Sequence, residues 1–250
     1  MVDTYISIDL ETTGLHPKQD KIIEIGALKV IDGRITETFS TFVNPARALD
    51  EHIVQLTGIR DEQLQSAPYI EDILPTVIDF LGDLPLLGHS ILFDYSFLKK
   101  AAVDKKLSFE KNAIDTLKIA RKYLTDLEHR SLDYLCQYYQ IEHHAHRALE
   151  DARATHFLYH KLVELFYEKE AQEGGAGHLF LPSPLHFQIK RDTPATKAQK
   201  EQLYRLLEQH KIVMNVEIER LTRSEASRWI DRIKSGALTN GAESPLYSGN

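Results

Sequence analysis

The sequence predicts an α/β fold, a mixed sheet covered by helices, with a small helical appendage. Three features of the chain predict it. Strand-like segments at 2–9, 21–31 and 34–43 form a meander. A short apolar run at 84–89 then alternates with helical stripes. Two further capped helical patterns follow a stretch rich in Gly and Pro. A meander followed by strand–helix alternation is the pattern of a mixed sheet with helices packed on it.

Each element has a local reason. The "IDGR" sequence at 31–34 is a two-residue Asp-Gly hairpin turn, which makes the second and third strands antiparallel. The "LPLLGH" run (84–89) is bounded by turn residues and reads as a buried strand. Helical periodicity covers about 70–82, 91–104, 116–124, 131–139 and 148–169. At 171–192 the helical period stops, which predicts a linker. Capping boxes at Thr196/Gln199 and Thr222/Glu225 then open two helices. The resulting division is a main domain over 1–170, a partly apolar linker over 171–192, a two-helix module over 193–236 and a tail over 237–250. Within the linker, Leu179, Phe180, Leu181 and Phe187 are too apolar to stay in water and are expected to pack on an apolar surface.

Composition narrows the class. The single cysteine, Cys136, excludes a disulfide framework and suits a reducing compartment. The chain shows neither a basic-then-apolar leader nor an apolar run long enough to span a bilayer, so a cytoplasmic protein without membrane association is expected. Residues 171–250 carry 11 basic and 9 acidic side chains, net +2, which leaves −9 on residues 1–170 (19 basic, 28 acidic). An acidic domain argues against nucleic-acid binding by broad charge attraction. It fits an acidic site that captures cations and meets phosphate through them.

Four acids stand where apolar residues belong. Asp9 and Glu11 are two residues apart at the end of a strand, so both point to one face. Asp94 falls on the inward stripe Ile91, Asp94, Tyr95, Leu98, Ala102, in a helix that Ser90 is placed to cap. Asp151 falls on the stripe Ala148, Asp151, Ala152, Thr155, Tyr159, Leu162. A cap or a buried salt bridge explains any one of them, but a shared pair of divalent cations satisfies all four. Oxygen-only ligands favour Mg²⁺ or Mn²⁺ over Zn²⁺. Two such ions ~4 Å apart stabilise both the attacking and the departing oxygen of a phosphodiester cleavage. His146 lies five residues before Asp151, roughly 500° of helix away. It is therefore placed in the preceding loop, leaning over the acids as a general base. The "HHAH" cluster (143–146) also suits zinc, but no cysteine or suitably spaced acid completes the set. His156 and His160, spaced i and i+4, lack a third ligand and read as surface residues.

The stretches "DLETTG" (9–14), "HSILFDYSFL" (89–98) and "HRALEDARAT" (146–155) resemble, in order, the three motifs of the DEDDh (DnaQ-like) 3′–5′ exonucleases. That family includes the proofreading epsilon subunit of bacterial DNA polymerase III and the exonuclease domain inserted in Gram-positive replicative polymerases. The resemblance covers residues 1–170. It implies a ribonuclease H-like fold, a five-stranded mixed sheet with helices on both sides. It also implies roles: Asp9, Glu11 and Asp151 on one metal, Asp9 shared with a second, Asp94 acting mainly through water, and His146 as base. Thr12, Thr13, Gly14, Leu15, His89 and Phe93 become candidates for substrate contact, with Leu15 and Phe93 as wedges against the terminal base. Core packing is the equal alternative for Phe93. Thr57 departs from the epsilon pattern, where a His often precedes the Gly-Ile pair, so no base contact is carried to it.

The expected activity is release of 5′-mononucleotides from single-stranded DNA 3′ ends, in proofreading or repair, with a DNA polymerase subunit as candidate partner. An exoribonuclease of the same fold and a non-catalytic polymerase-docking subunit are the alternatives. The two C-terminal helices resemble a short module appended to various bacterial and phage proteins. Their Lys197, Lys200, Arg223, Arg228 and Arg232 suit either a phosphate backbone or a solvated face. Oligomeric state is left open.

Overall fold

The computed structural model describes residues 2–143, 145–172, 178–214 and 216–236. Its elements are β1 (Tyr5–Thr12), β2 (Ile22–Ile31), β3 (Arg34–Phe42), α1 (Glu51–Thr57), α2 (Asp61–Leu64), α3 (Ile70–Leu81), β4 (Leu86–Gly88) and α4 (Leu92–Asp104). They continue with β5 (Asn112–Asp115), α5 (Thr116–Tyr123), α6 (Leu132–Tyr139), α7 (Ala148–Glu170), β6 (Ser183–Pro184), α8 (Lys197–His210) and α9 (Arg223–Lys234). The strands form one mixed sheet in the order β3-β2-β1-β4-β5-β6. β1, β4 and β5 run parallel, and β2, β3 and β6 pair antiparallel with their neighbours. Among the described residues no helix is long and apolar enough to cross a membrane.

The meander forms as its sequence requires. Asp32 and Gly33 both take positive φ (49° and 74°), the geometry of the two-residue turn at which Asp-Gly is favoured. β1 then divides its side chains between two cores, one on each side of the sheet. Ile6, Ile8 and Leu10 pack with Ile73, Leu74, Val77 and Leu81 of α3 and with Tyr95, Leu98 and Ala102 of α4. Tyr5, on the other face, packs with Ile119 and Ala120 of α5, Leu135 of α6, and Leu158, Tyr159 and Leu162 of α7. The odd-numbered residues of β1 thus meet α7 rung by rung. The Tyr5 hydroxyl lies 2.9 Å from His156 Nδ1, and Ser7 Oγ donates to the Ala152 carbonyl at 2.7 Å. Asp9 and Glu11 are the next two rungs.

The structure departs from the sequence reading in several places. A sixth strand, β6, joins the five expected: Ser183 and Pro184 pair with Ala113 and Asn112. The segment before and after it packs into the sheet's cores through Leu179, Phe180, Leu185 and Phe187, whereas Leu181 is 42 % exposed. Ser90 does not cap α4. Its φ is +71°, its N–H donates to Asp115 at 3.0 Å, and Ile91 is the N-cap residue. His156 is no surface residue: it is 4 % exposed and bonded to Tyr5, whose hydroxyl also lies 3.2 Å from His160 Nε2.

Burial, with His160 and Arg153 adding like charge, pushes the His156 imidazole down to about 4. The unfolded chain then binds a proton that the native chain refuses over the interval from about 6.5 to about 4. Stability from this group is complete above that interval and is lost as pH falls through it. His156→Gln should flatten the acid limb of a plot of melting temperature against pH, and an unchanged slope between pH 6.5 and 4 would refute the assignment.

The chain divides into two compact units, one reaching from the N-terminus to Pro45 and from Glu51 to Ile189, the other Ala46–Asp50 with residues from Lys190 onward. In the second unit, Leu203 of α8 packs with Ala226, Trp229, Ile230 and Ile233 of α9. Both capping boxes are formed, at Thr196/Gln199 and Thr222/Glu225. Lys200 pairs with Glu219 at 2.6 Å, Lys197 lies 3.8 Å from Glu201, and Arg232 lies over the Trp229 ring. These local partners favour the solvated-face reading for Lys197, Lys200 and Arg232 of that basic set.

Candidate active site

Asp9 and Glu11 project from β1 toward α7 because they share the parity of Tyr5 and Ser7. Asp151 sits in the first turn of α7, on its inward stripe, and is 7 % exposed. Asp9, Glu11 and Asp151 each offer a carboxylate oxygen within 4.8 Å of the others. Asp94 arrives from the first turn of α4. β4 pairs with β1 only at Ile6 and Ser7, so the β1 edge beyond them is open. There Asp94 Oδ1 accepts the Leu10 N–H at 3.0 Å.

The electrostatics are those of crowded carboxylates. Burial raises the Asp9 carboxyl well above its usual range, and Asp94, Asp151, Glu11 and Glu24 add to the rise. Burial pushes Glu11 up to about 8, with Asp151 and Glu24 adding and Arg147 opposing. Burial also raises Asp94 against the pull of the N–H groups that it accepts. Like charges this close disfavour simultaneous ionisation unless a cation intervenes. An all-oxygen donor set of this kind fits a hard divalent ion rather than zinc.

His146 lies in the loop just before α7, half-buried, with φ +65°. His143, seen in the sequence only as part of a histidine run, meets Asp151 through Nε2 and Asp133 through Nδ1 at 3.1 Å. The Asp151 bond raises its imidazole. His144 lies outside the described residues. Glu24 and Arg147 were not singled out by the sequence, yet they form a 2.9 Å ion pair beside the acids. Glu24 falls in no motif or stripe, and Arg147, though inside the 146–155 stretch, is given no role there; only the docking of α7 on β2 reveals their pairing.

The remaining candidates fall into two groups. Thr12, Thr13 and Gly14 form a tight loop at the end of β1. Thr12 Oγ1 donates to the Gly14 carbonyl at 2.7 Å, and Thr13 Oγ1 accepts the Lys21 N–H at 3.0 Å. Gly14 is required there: a Cβ would lie 2.6 Å from the Asp20 carboxyl. The loop presents Leu15, which is 75 % exposed. His89 and Phe93, by contrast, are engaged by the fold. His89 Nε2 donates to the Arg130 carbonyl at 2.8 Å, and Nδ1 lies 2.9 Å from Thr116 Oγ1. Phe93 packs on the core and against Phe97 at 5.0 Å between centroids, which favours its core alternative. Thr57 is also internal, donating to the Ile53 carbonyl at 2.8 Å.

A mixed sheet with acids gathered at the end of its central strand and at the start of the covering helix defines the class of ribonuclease H-like nucleases. The chain belongs to the exonuclease family RNase_T, whose model matches residues 6–159. It is 40% identical over 166 residues to the PolC-type DNA polymerase III of Caldanaerobacter subterraneus subsp. tengcongensis, covering 66% of this chain and 12% of that protein. It is 34% identical over 254 residues to the PolC-type DNA polymerase III of Oceanobacillus iheyensis, covering 96% of this chain and 17% of that one. The chain therefore spans about a sixth or less of these curated relatives. Among solved structures, exonuclease X in complex with 5′ overhanging duplex DNA is 27% identical with a TM-score of 0.53, covering 65% of this chain and 92% of that one. Escherichia coli exonuclease I in complex with a dT13 oligonucleotide shares the fold at 20% identity and a TM-score of 0.57, covering 69% of this chain and 43% of that one.

Proposed function

We propose that the first unit is a 3′–5′ exonuclease that releases 5′-mononucleotides from single-stranded DNA, in proofreading or repair. The observation that carries this reading is the convergence of Asp9, Glu11 and Asp151 within 4.8 Å, with Asp94 anchored beside them. DNA is favoured as substrate by the likeness to PolC-type DNA polymerase III and to exonuclease X bound to DNA. A DNA polymerase subunit is the partner that likeness suggests, and the second unit serves as an accessory module. The cytoplasm, where replication enzymes of this type act, is the proposed location.

Asp9, Glu11 and Asp151 would hold two divalent cations, Mg²⁺ or Mn²⁺, with Asp94 supporting them from the α4 side, and such cations, when bound, would supply charge stabilisation at the scissile phosphate. His146 takes the proton of the attacking water. Thr12, Thr13 and Gly14 hold the loop that carries Leu15 to the terminal nucleotide, where its exposed side chain lies against the base.

The test is mass spectrometry of products from a 5′-labelled single strand incubated with Mg²⁺, beside an RNA of matched sequence. Stepwise shortening from the 3′ end with 5′-mononucleotides released, faster on DNA, is the expected result. Faster trimming of RNA would make the protein an exoribonuclease, and no release from either strand would refute the catalytic reading.

A further inference from the structure

Helix α7 starts without a cap of its own. Its N-cap residue is Arg147, in extended backbone (φ −132°, ψ 112°), and no side chain of the helix satisfies the first N–H groups. Helix N-termini leave such donors exposed, and they must find partners elsewhere. Here the partner comes from β2. Glu24 Oε2 accepts the Ala148 N–H at 3.1 Å. The same carboxylate accepts from Arg147 Nη2 at 2.9 Å and from Nε at 3.3 Å. Glu24 is 1 % exposed, whereas the Arg147 side chain is half in solvent and lies over the Phe42 ring.

The strand register explains why this contact matters to the acids. Glu24 pairs with Glu11, and Gly26 pairs with Asp9, so all four share the face that meets α7. At Gly26 the helix touches the strand backbone: a Cβ would fall 2.1 Å from Leu149 N and 2.2 Å from the Ala148 carbonyl carbon. Gly26 sets how close α7 approaches, while Glu24 holds its first turn from one rung further along. Asp151 follows three residues later, with its own N–H bonded to the Arg147 carbonyl at 2.9 Å. Arg147 also joins directly to His146.

A buried acid at position 24 is costly for this site, because it adds negative charge beside Glu11 and Asp9. Arg147 offsets that charge, and its planar fork fixes direction as well as distance. Burying such a pair brings little net stability. Its distinctive effect is geometric, and misplacing a reacting group by 1 Å costs on the order of 10²-fold in rate.

We infer that Glu24 and Arg147 are positioning residues: their ion pair, with the Glu24 cap on Ala148, fixes the first turn of α7 against β2. It thereby sets the distance of Asp151 from Asp9 and Glu11. The catalytic part of this inference rests on the metal-dependent nuclease reading; the geometric part does not.

The test uses the full chain as wild type, Glu24→Gln, Arg147→Ala, Arg147→Lys and the double variant Glu24→Gln/Arg147→Ala. Amide hydrogen exchange is followed without metal, Mn²⁺ affinity by electron paramagnetic resonance, and kcat and KM on a short single strand. Exchange at residues 148–151 should accelerate at least ~10-fold in Glu24→Gln and Arg147→Ala. Mn²⁺ affinity and kcat should each fall ~10–100-fold with KM nearly constant. Arg147→Lys should recover part of the loss. The double variant should be little worse than either single one, because both break the same contact. Unchanged exchange and Mn²⁺ affinity in folded variants would overturn the inference. So would additive losses, or a lower melting temperature with kcat intact. If Glu24→Gln fails to fold, the half-exposed Arg147→Lys decides by the same readouts. If the wild type neither binds Mn²⁺ nor cleaves, the nuclease reading fails, and the metal-free exchange data still decide the geometry.

Discussion

Without divalent cations, Asp9→Asn is expected to melt at a higher temperature than the parent protein, yet to have lost cleavage altogether. Both effects come from the same crowding. Asp9 is raised by burial and then by Asp94, Asp151, Glu11 and Glu24. Glu11, pushed up to about 8 by burial and then by Asp151 and Glu24 against the opposing Arg147, holds a proton in the native state that the unfolded chain releases near its ordinary 4.5. Over that interval the native state binds more protons, so the metal-free protein loses stability as pH rises from about 4.5 to 8. Replacing Asp9 by its neutral isostere removes one source of that repulsion. The gain should read as roughly 2–4 °C in melting temperature for each kcal/mol relieved, larger at pH 8 than at pH 5. Added Mg²⁺ or Mn²⁺ should raise the parent's melting temperature and leave the variant's almost unmoved. The loss of rate should exceed the ~10²–10⁴ that a general base contributes, since Asp9 is the ligand proposed for both cations. Calorimetry with and without Mn²⁺, beside the oligonucleotide assay, checks both. A variant that melted lower without metal, or retained near-parental cleavage, would refute the assignment.

The acids were legible because they break a pattern. An Asp on the stripe Ile91, Tyr95, Leu98, Ala102, or on Ala148, Ala152, Thr155, Tyr159, is out of place on an apolar face, and periodicity exposes it. In the structure Asp94 and Asp151 lie where those stripes put them, 3 % and 7 % exposed. Glu24 breaks no pattern. In "IIEIGALKV" it reads as a polar position of a strand, and it becomes buried only because α7 docks on that strand at Gly26. His143 was hidden for the same reason, since its partners Asp133 and Asp151 come from two helices whose packing no local pattern encodes. Short elements also escaped. α1 and α2 have seven and four residues, and β5 has four, too few for a period to emerge. Residues 178–189 lack regular structure apart from one short helical turn and two strand residues. Tertiary burial of Phe180 and Leu185, rather than propensity, holds them in the first unit.

That burial changes where the first unit can be cut, and hence how the general base should be tested. Ending the chain near Lys169 would remove Phe180 from its core and strip β6 from β5, so the full chain, or one ending at Ile189, is the proper background. In that background two histidines compete for the role of base. His143 is already bonded to Asp151 and Asp133 through its two ring nitrogens, which leaves neither free to take a proton from water. His146, in left-handed backbone immediately before α7, has no such partner among the described residues. His146→Ala should therefore lower kcat by ~10²–10⁴ while Mn²⁺ binding is kept. His143→Ala should affect Mn²⁺ affinity, through Asp151, more than kcat at saturating Mn²⁺. Rates for the two variants, measured on one oligonucleotide with Mn²⁺ titrations alongside, separate the roles. If His143→Ala lowered kcat at saturating Mn²⁺ and His146→Ala left it in place, the base would be His143, and Asp151 would be orienting a histidine as well as holding a cation.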